Sequence, residues 1–266
     1  MPPKIITSEV NARIKQVVKL REHKERRDKN LIIVEGAREI RQALRAKFPF
    51  QEFYVCQGRG KAVQSVISDM EKQKGVEIFE IPENVYEKIS YGESRDGILA
   101  VCEPRYKTCK DVKLSAKPLV LVMESVEKPG NLGAISRTCD AAGVDAIFCC
   151  DLKTDIFNPN IIRSSLGTIF AMNVVVADKA EVSRFLSGAG VKTAVSTPVA
   201  QTLYTEVDFK RPTAIVVGSE DKGVSDYWLS NANFKMRIPM HGAVDSLNVS
   251  ASTAIILYEA LRQRER

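Results

Sequence analysis

Residues 119–150 read LVLVMESVEKPGNLGAISRTCDAAGVDAIFCC. The run 119–123 is apolar without a break, which fits a strand buried on both faces and not one with a wet side. Gly130 and Gly133 then allow a tight turn. Ile135, Cys139 and Ala142 form the apolar stripe of a helix over 133–142, with Gly143 placed to cap its end. A second apolar run, 146–150, closes a strand–helix–strand unit. The pattern continues downstream, with strands predicted at 172–177, 191–195 and 213–217 and helices at 160–167, 179–187 and 246–263. Unbroken apolar strands alternating with helices predict an α/β domain on a parallel sheet covered on both faces.

Toward the N-terminus the pattern is finer. Strands are expected at 31–34, 53–56, 76–79 and 98–102, with helices at 37–46 and 62–74, giving a small α/β unit of about a hundred residues. Residues 103–118 are polar, bracketed by Pro104 and Pro118, and read as a linker. The expected division is therefore a first domain over 1–103, a linker over 104–118 and a second domain over 119–266.

The 266 residues carry 39 Lys and Arg against 33 Asp and Glu, and 44% are hydrophobic. This is ordinary globular composition, which excludes whole-chain disorder, collagen and coiled coil. No apolar run reaches the ~18 residues of a membrane span. The opening MPPKIITSEVNARIK lacks the apolar core of a signal peptide, so a soluble, cytoplasmic protein is expected. The six cysteines include no CxxC, and the histidines are His23 and His241. Buried reduced thiols are expected, and no metal site.

The charge is uneven. Residues 1–47 hold 13 Lys and Arg against 6 Asp and Glu, whereas the remainder is nearly neutral. Arg13, Lys15, Lys19, Arg26 and Arg27 fall on a segment whose Ile14, Val17 and Val18 suggest one helix with an apolar stripe and a basic face. Pairs such as Glu22 with Arg26 would use up part of this charge, but not an excess of seven. A nucleic-acid backbone is the partner such a surplus suits.

Gly58-Arg59-Gly60 superficially resembles a dinucleotide loop, but position 63 is Val63 and the pattern reads as a turn. Three other constellations carry more. Asn131 and Arg137 lie in Pro129–Gly143, just after a strand, at the sheet end where open α/β domains bind ligands. Gly218 and Glu220 follow the strand 213–217, where glycine permits a ligand close to the backbone. Ile238, Met240, Ser246, Leu247 and Asn248 lead into the last helix, which Ser246 can cap. Polar residues in its opening turns suit a polar ligand.

Together, NxGxxxR, the GSExxG strand end and IPMxGxxxSLNVS resemble the three motifs of the SpoU/TrmH family, RNA 2′-O-ribose methyltransferases of the SPOUT class. The N-terminal IKxxxKLRxxKxRR followed by IIVEG resembles the L30e-like substrate-binding domain of the family's rRNA-type members. The resemblance implies a deep trefoil knot in the C-terminal domain, S-adenosylmethionine as cofactor, and a homodimer formed through that domain with its site near the subunit interface. It carries over Asn131, Arg137, Glu220, Ser246 and Asn248 as the catalytic set, and Thr197, Gly218, Ile238, Met240 and Leu247 as cofactor contacts. Arg163 matches a segment between motifs and is expected to touch RNA, although Asn160 stands where a lysine is common. The implied activity is methylation of a ribose 2′-hydroxyl in 23S-type ribosomal RNA. A tRNA substrate and a non-catalytic RNA-binding protein on the same fold are the competing readings, and the separate N-terminal domain weighs against the first.

Overall fold

The computed structural model describes residues 4–58, 61–91 and 96–265. The chain forms two compact units. The first runs to Arg105 and also takes in Asp155–Ala171; the second comprises Tyr106–Thr154 and everything from Met172 onward.

The first unit contains β1 (Lys4–Ile5), α1 (Ala12–Lys19), α2 (His23–Lys29), β2 (Ile32–Glu35), α3 (Ala37–Arg45), β3 (Phe50–Cys56), α4 (Lys61–Glu71), β4 (Glu77–Ile81), α5 (Glu83–Ile89) and β5 (Ile98–Cys102). Its sheet has the order β1-β4-β3-β5-β2, with β4 parallel to β1 and β3, and β5 antiparallel to β3 and β2. The basic segment is two helices and not one. Leu20 ends α1, and Glu22, in extended conformation, opens α2. The apolar stripe does its expected work: Ile14, Val17 and Leu20 are buried in a core with Tyr54, Phe79, Val85 and Tyr86. Gly58 sits in a turn at φ +70°; Arg59 and Gly60 lie outside the described residues.

The chain then enters the second unit. Residues 106–118, polar enough to read as a linker, are packed into it. Cys109 and Val112 are buried in its core, and the Lys107 ammonium donates to the Met172 carbonyl (3.2 Å) and Asn173 Oδ1 (2.8 Å). Next come β6 (Leu119–Glu124), α6 (Pro129–Ala141) and β7 (Ala146–Cys150). The chain returns to the first unit for α7 (Pro159–Ser164) and α8 (Thr168–Ala171). It completes the second with β8 (Val174–Val176), α9 (Lys179–Gly188), β9 (Lys192–Ser196), β10 (Thr213–Val217), α10 (Asp226–Asn231), β11 (Phe234–Met236) and α11 (Val249–Arg264).

The second sheet, β11-β9-β10-β6-β7-β8, is parallel throughout. The central pair registers Thr213 with Leu119 through Val217 with Met123, so every apolar residue of those two runs is covered. Both faces are packed; Val120, Val122, Phe148, Val195, Val216 and Trp228 share one cluster.

Two helix starts differ from the sequence reading by three residues or more, and both differences bear on function. α6 begins at Pro129, four residues early, because proline's fixed φ suits the first helical position and its missing N–H costs nothing there. α11 begins at Val249, three residues late. Its cap is Asn248, whose side chain accepts from the Ser250 N–H at 3.0 Å, and not Ser246.

Candidate active site

Three loops meet at the C-terminal edge of the second sheet. The first joins β6 to α6 and brings Asn131 in the opening turn of the helix. The second follows β10 and carries Glu220. The third ends at Asn248, the cap of α11. Glu220 Oε1 accepts from the carboxamide nitrogens of Asn131 (2.9 Å) and Asn248 (2.5 Å). The Asn248 nitrogen also lies 3.3 Å from Asn131 Oδ1. Its oxygen accepts from the Ser250 N–H and from Ser250 Oγ, the latter at 2.5 Å. With its oxygen bound to two donors, the Asn248 carboxamide must present its nitrogen to the carboxylate. Glu220 Oε2 pairs with the Lys128 ammonium at 2.6 Å. That hydrogen bond, then those from the two asparagines and the positive charge of Lys128, hold the Glu220 carboxyl below its usual range. The same pair raises Lys128.

The geometry of the Glu220 loop is built into the backbone. Ser219 and Gly223 exchange backbone hydrogen bonds at 3.1 and 3.0 Å, and Gly223 sits at φ +65°. A Cβ added to Gly218 would lie 2.0 Å from the Gly223 carbonyl oxygen. The close approach that requires glycine at 218 is therefore the loop closing on itself. Beyond the loop, Glu124, 2% exposed at the end of β6, accepts from Ser225 N (2.7 Å) and Ser225 Oγ (2.6 Å) and pairs with Lys179 at 3.5 Å. It ties the exit of the loop to the sheet.

An open cavity of about 470 Å³ faces this network, lined by Lys128, Asn131, Lys153, Glu220, Lys222 and Val249, among others. Sequence reasoning did not single out Glu124, Lys128, Lys153 or Lys222. The available signal was position: Glu124 ends an apolar strand, and Lys128 immediately precedes the proline of the first motif.

Arg137 is not part of the cluster within one chain. It is exposed and lies six residues beyond Asn131 on α6, so it is turned about 240° around the axis and ~9 Å along it. It has no hydrogen-bond or ion-pair partner among the described residues. Ser246 is exposed and belongs to neither the cap nor the hydrogen-bonded network.

Thr197, Gly218 and Ile238 follow the C-terminal ends of β9, β10 and β11, three neighbouring parallel strands; the Thr197 N–H donates to the Met236 carbonyl at 2.9 Å. Ile238, Met240 and Leu247 are half-buried. The segment between β11 and α11 thus leaves three large apolar side chains partly open. Among the described residues no group of three or more His, Cys, Asp or Glu is placed to hold a metal, and no helix is long and apolar enough to cross a membrane.

In the first unit the basic residues divide. Lys15, Lys19 and Arg27 are exposed. Arg13 is half-committed, paired with Glu52 and Glu77 and stacked 4.9 Å over the Phe79 ring. Arg26 contradicts its expected role. It is 2% exposed, its Nε bonds Asp155 at 2.8 Å, and its Nη1 donates to the carbonyls of Leu20 and Arg21. It is a buried strut, with no face toward a phosphate. Arg163 is exposed on α7 and lines a cavity of about 250 Å³ with Arg38, Tyr91 and Glu39.

The SpoU rRNA Methylase family matches residues 118–258, and the MRM3-like substrate binding domain matches residues 11–100. The 23S rRNA (guanosine(2553)-2′-O)-methyltransferase RlmP of Bacillus subtilis (strain 168) is 31% identical over 255 residues, spanning 96% of this chain and 98% of its own. A crystal structure of an RNA 2′-O ribose methyltransferase superposes with a TM-score of 0.87 at 37% identity, covering 98% of this chain and 100% of that one. The AdoMet-bound rRNA methyltransferase from Sinorhizobium meliloti gives a TM-score of 0.88 at 27% identity over 97% of each chain. A match across both units, joined to a site in which the three motifs meet at one carboxylate, leads to one conclusion: the chain belongs to the SpoU rRNA methylase family.

Proposed function

We propose that the protein transfers a methyl group from S-adenosylmethionine to a ribose 2′-hydroxyl of ribosomal RNA, in the 23S class. The observation that carries this reading is the meeting of Asn131 and Asn248 at a single oxygen of Glu220. Bound S-adenosylmethionine would supply a sulfonium methyl that is already electrophilic, so the chemical difficulty lies in the weakly acidic hydroxyl. Thr197, Gly218, Ile238, Met240 and Leu247 would hold it at the ends of β9, β10 and β11.

Arg137 orients the hydroxyl oxygen and stabilises the negative charge that grows on it. A guanidinium stays protonated, so its role is electrostatic, and the hydroxyl proton passes to a phosphate of the RNA substrate. Asn131, Glu220 and Asn248 fix the wall against which ribose and guanidinium are set, and Ser246 contributes from the loop. Because Arg137 faces away from Asn131 on its own helix, the complete site needs a second copy. The protein is a cytoplasmic homodimer through its second unit, in which a trefoil knot shapes the cofactor loops, and Arg137 of one protomer serves the site of the other. The N-terminal unit holds the RNA backbone through Lys15, Lys19, Arg27 and Arg163, with Arg13 contributing part of its charge.

Mapping of ribose methylation in total RNA from cells with and without this protein tests the proposal. One 2′-O-methyl mark should vanish from 23S rRNA. Loss of a mark confined to tRNA would move the substrate. An unchanged map, together with no S-adenosylmethionine binding by calorimetry, would leave only a non-catalytic RNA-binding role.

A further inference from the structure

We propose that Lys128 is a positioning residue for the transfer: in the RNA-free protein it holds the outer oxygen of Glu220, and a phosphate of the entering strand takes it over. The inference rests on the RNA methyltransferase reading above.

The two oxygens of Glu220 are used differently. Oε1 carries both asparagine amides, whereas Oε2 carries Lys128, 2.6 Å away. The lysine backbone is fixed, since its carbonyl accepts the N–H groups of Asn131 (3.0 Å) and Leu132 (3.2 Å) at the start of α6. Its side chain, in contrast, is 73% exposed. A rigid base with a solvent-facing ammonium favours exchange between partners, because the ammonium is a compact point charge on a flexible stem.

The rim explains why exchange matters more than simple attraction. Lys128, Lys153 and Lys222 line the cavity, and so do Glu127, Glu220 and Asp221. Lys153 pairs with Glu127 as Lys128 pairs with Glu220. The rim therefore has no surplus of positive charge, unlike the first 47 residues. A phosphate that binds Lys128 or Lys153 there displaces a carboxylate from it. Of these pairs, Lys128–Glu220 is the one whose carboxylate is bonded to the motif amides. Its exchange frees Oε2 while Oε1 stays anchored. The freed oxygen can then accept from the Arg137 guanidinium, so that the site completes itself when RNA is present.

The groups facing Glu220 are Lys128 and Asn131 from the start of α6, Asn248 from the cap of α11, and Asp221 and Lys222 from its own loop; Glu127 and Lys153 share the rim. The ion pair is also the leading cause of the lowered Glu220 value.

Full-length protein with ¹³C-labelled glutamate carboxyls is titrated by NMR, with Glu220→Gln to assign the signal. In Lys128→Met the Glu220 midpoint should rise toward the ordinary glutamate value, and in Lys128→Arg it should stay low. Single-turnover methylation of ribosomal RNA should fall about tenfold in Lys128→Met, the scale of one charge-assisted hydrogen bond, and recover in Lys128→Arg. Calorimetry should show unchanged S-adenosylmethionine affinity in both. Adding ribosomal RNA to the wild type should shift the Lys128 ammonium signal. A Glu220 midpoint in Lys128→Met that coincides with wild type, or a Lys128 signal indifferent to RNA, overturns the proposal. If wild-type protein binds the RNA but methylates none, the functional reading fails instead, and the RNA-free midpoints still decide whether Lys128 holds Glu220.

Discussion

Asn248 and Glu220 meet across 28 positions of sequence at 2.5 Å, and the carboxamide that donates to the carboxylate through its nitrogen also caps α11 through its oxygen. A single side chain thus joins the stability of the last helix to the geometry of the site, and substitution can separate the two roles.

Asn248→Ala should lose both. Loss of the cap costs about 1 kcal/mol, a fall in melting temperature of roughly 2–4 °C for a chain of this size. Methyl transfer should fall as well, because one of the two amides fixing Glu220 Oε1 is gone. Asn248→Ser restores a good cap but is too short to replace the amide donor. Its melting curve should return to wild type while transfer stays as low as in the alanine variant. Equal recovery of both would show that the helix start alone matters.

Arg137→Ala should reduce the single-turnover rate by at least ~10²-fold, the usual scale for one preorganised electrostatic group. Stability should hardly change, since Arg137 is exposed and bonded to nothing described in its own chain. Mixing Arg137→Ala protomers with Glu220→Gln protomers, each inactive alone, tests whether the arginine crosses to the other subunit. In a two-fold symmetric dimer, half the random pairs are mixed and one of their two sites is intact, so about one quarter of wild-type activity should return. No recovery after verified subunit exchange would place Arg137 in its own chain's site.

Arg26 and Arg27 are adjacent in sequence and opposite in consequence. Arg26 and Asp155 form an ion pair with side chains 2% and 5% exposed. Breaking such a pair from one side strands a buried charge, at roughly 3–5 kcal/mol. Arg26→Met should therefore shift the urea midpoint strongly. Arg27→Ala should leave the midpoint unchanged and lower the salt dependence of RNA binding by about one phosphate contact. A salt slope unchanged in Arg27→Ala would remove α2 from the RNA surface.

That contrast also marks the limit of what the residues alone disclose. The second sheet is legible because runs such as 119–123, 146–150 and 214–217 carry no polar residue, and two-sided burial admits little else. The small elements β1, α5, α10 and β11 escape because two to seven residues give no measurable period. Arg26 escapes because its partner, Asp155, is 129 positions away, and local pattern cannot distinguish it from its neighbour. Ser246 and Asn248 are both good cap residues, so sequence cannot choose between them; the contact with Glu220 does. The site itself was visible as three motifs that resemble those of a family. The sharing of Oε1 by two amides and the hold of Lys128 on Oε2 are tertiary facts that no spacing encodes.

The six cysteines, all buried and none in a disulfide, give a prediction on the alkaline side. Burial raises the Cys109 thiol to about 11, helped by Glu181, and the Cys149 thiol to about 12. A free thiol ionises near ~8.5. The unfolded chain therefore gives up these protons first as pH rises, and the folded state keeps them. A group whose value is raised on folding contributes its full share below the unfolded value and loses it progressively as pH climbs toward the folded one. The urea midpoint should be flat with respect to these groups up to about pH 8 and then decline. Cys149→Ala should start from a lower midpoint, because it opens a small cavity, yet decline less steeply with pH. In the same range, native protein should react with a thiol-specific disulfide reagent only as fast as it opens, and addition of urea should release the full set. Rapid labelling of native protein at pH 8 would mean that at least one of these thiols is ionised and accessible in the folded state, contrary to its burial.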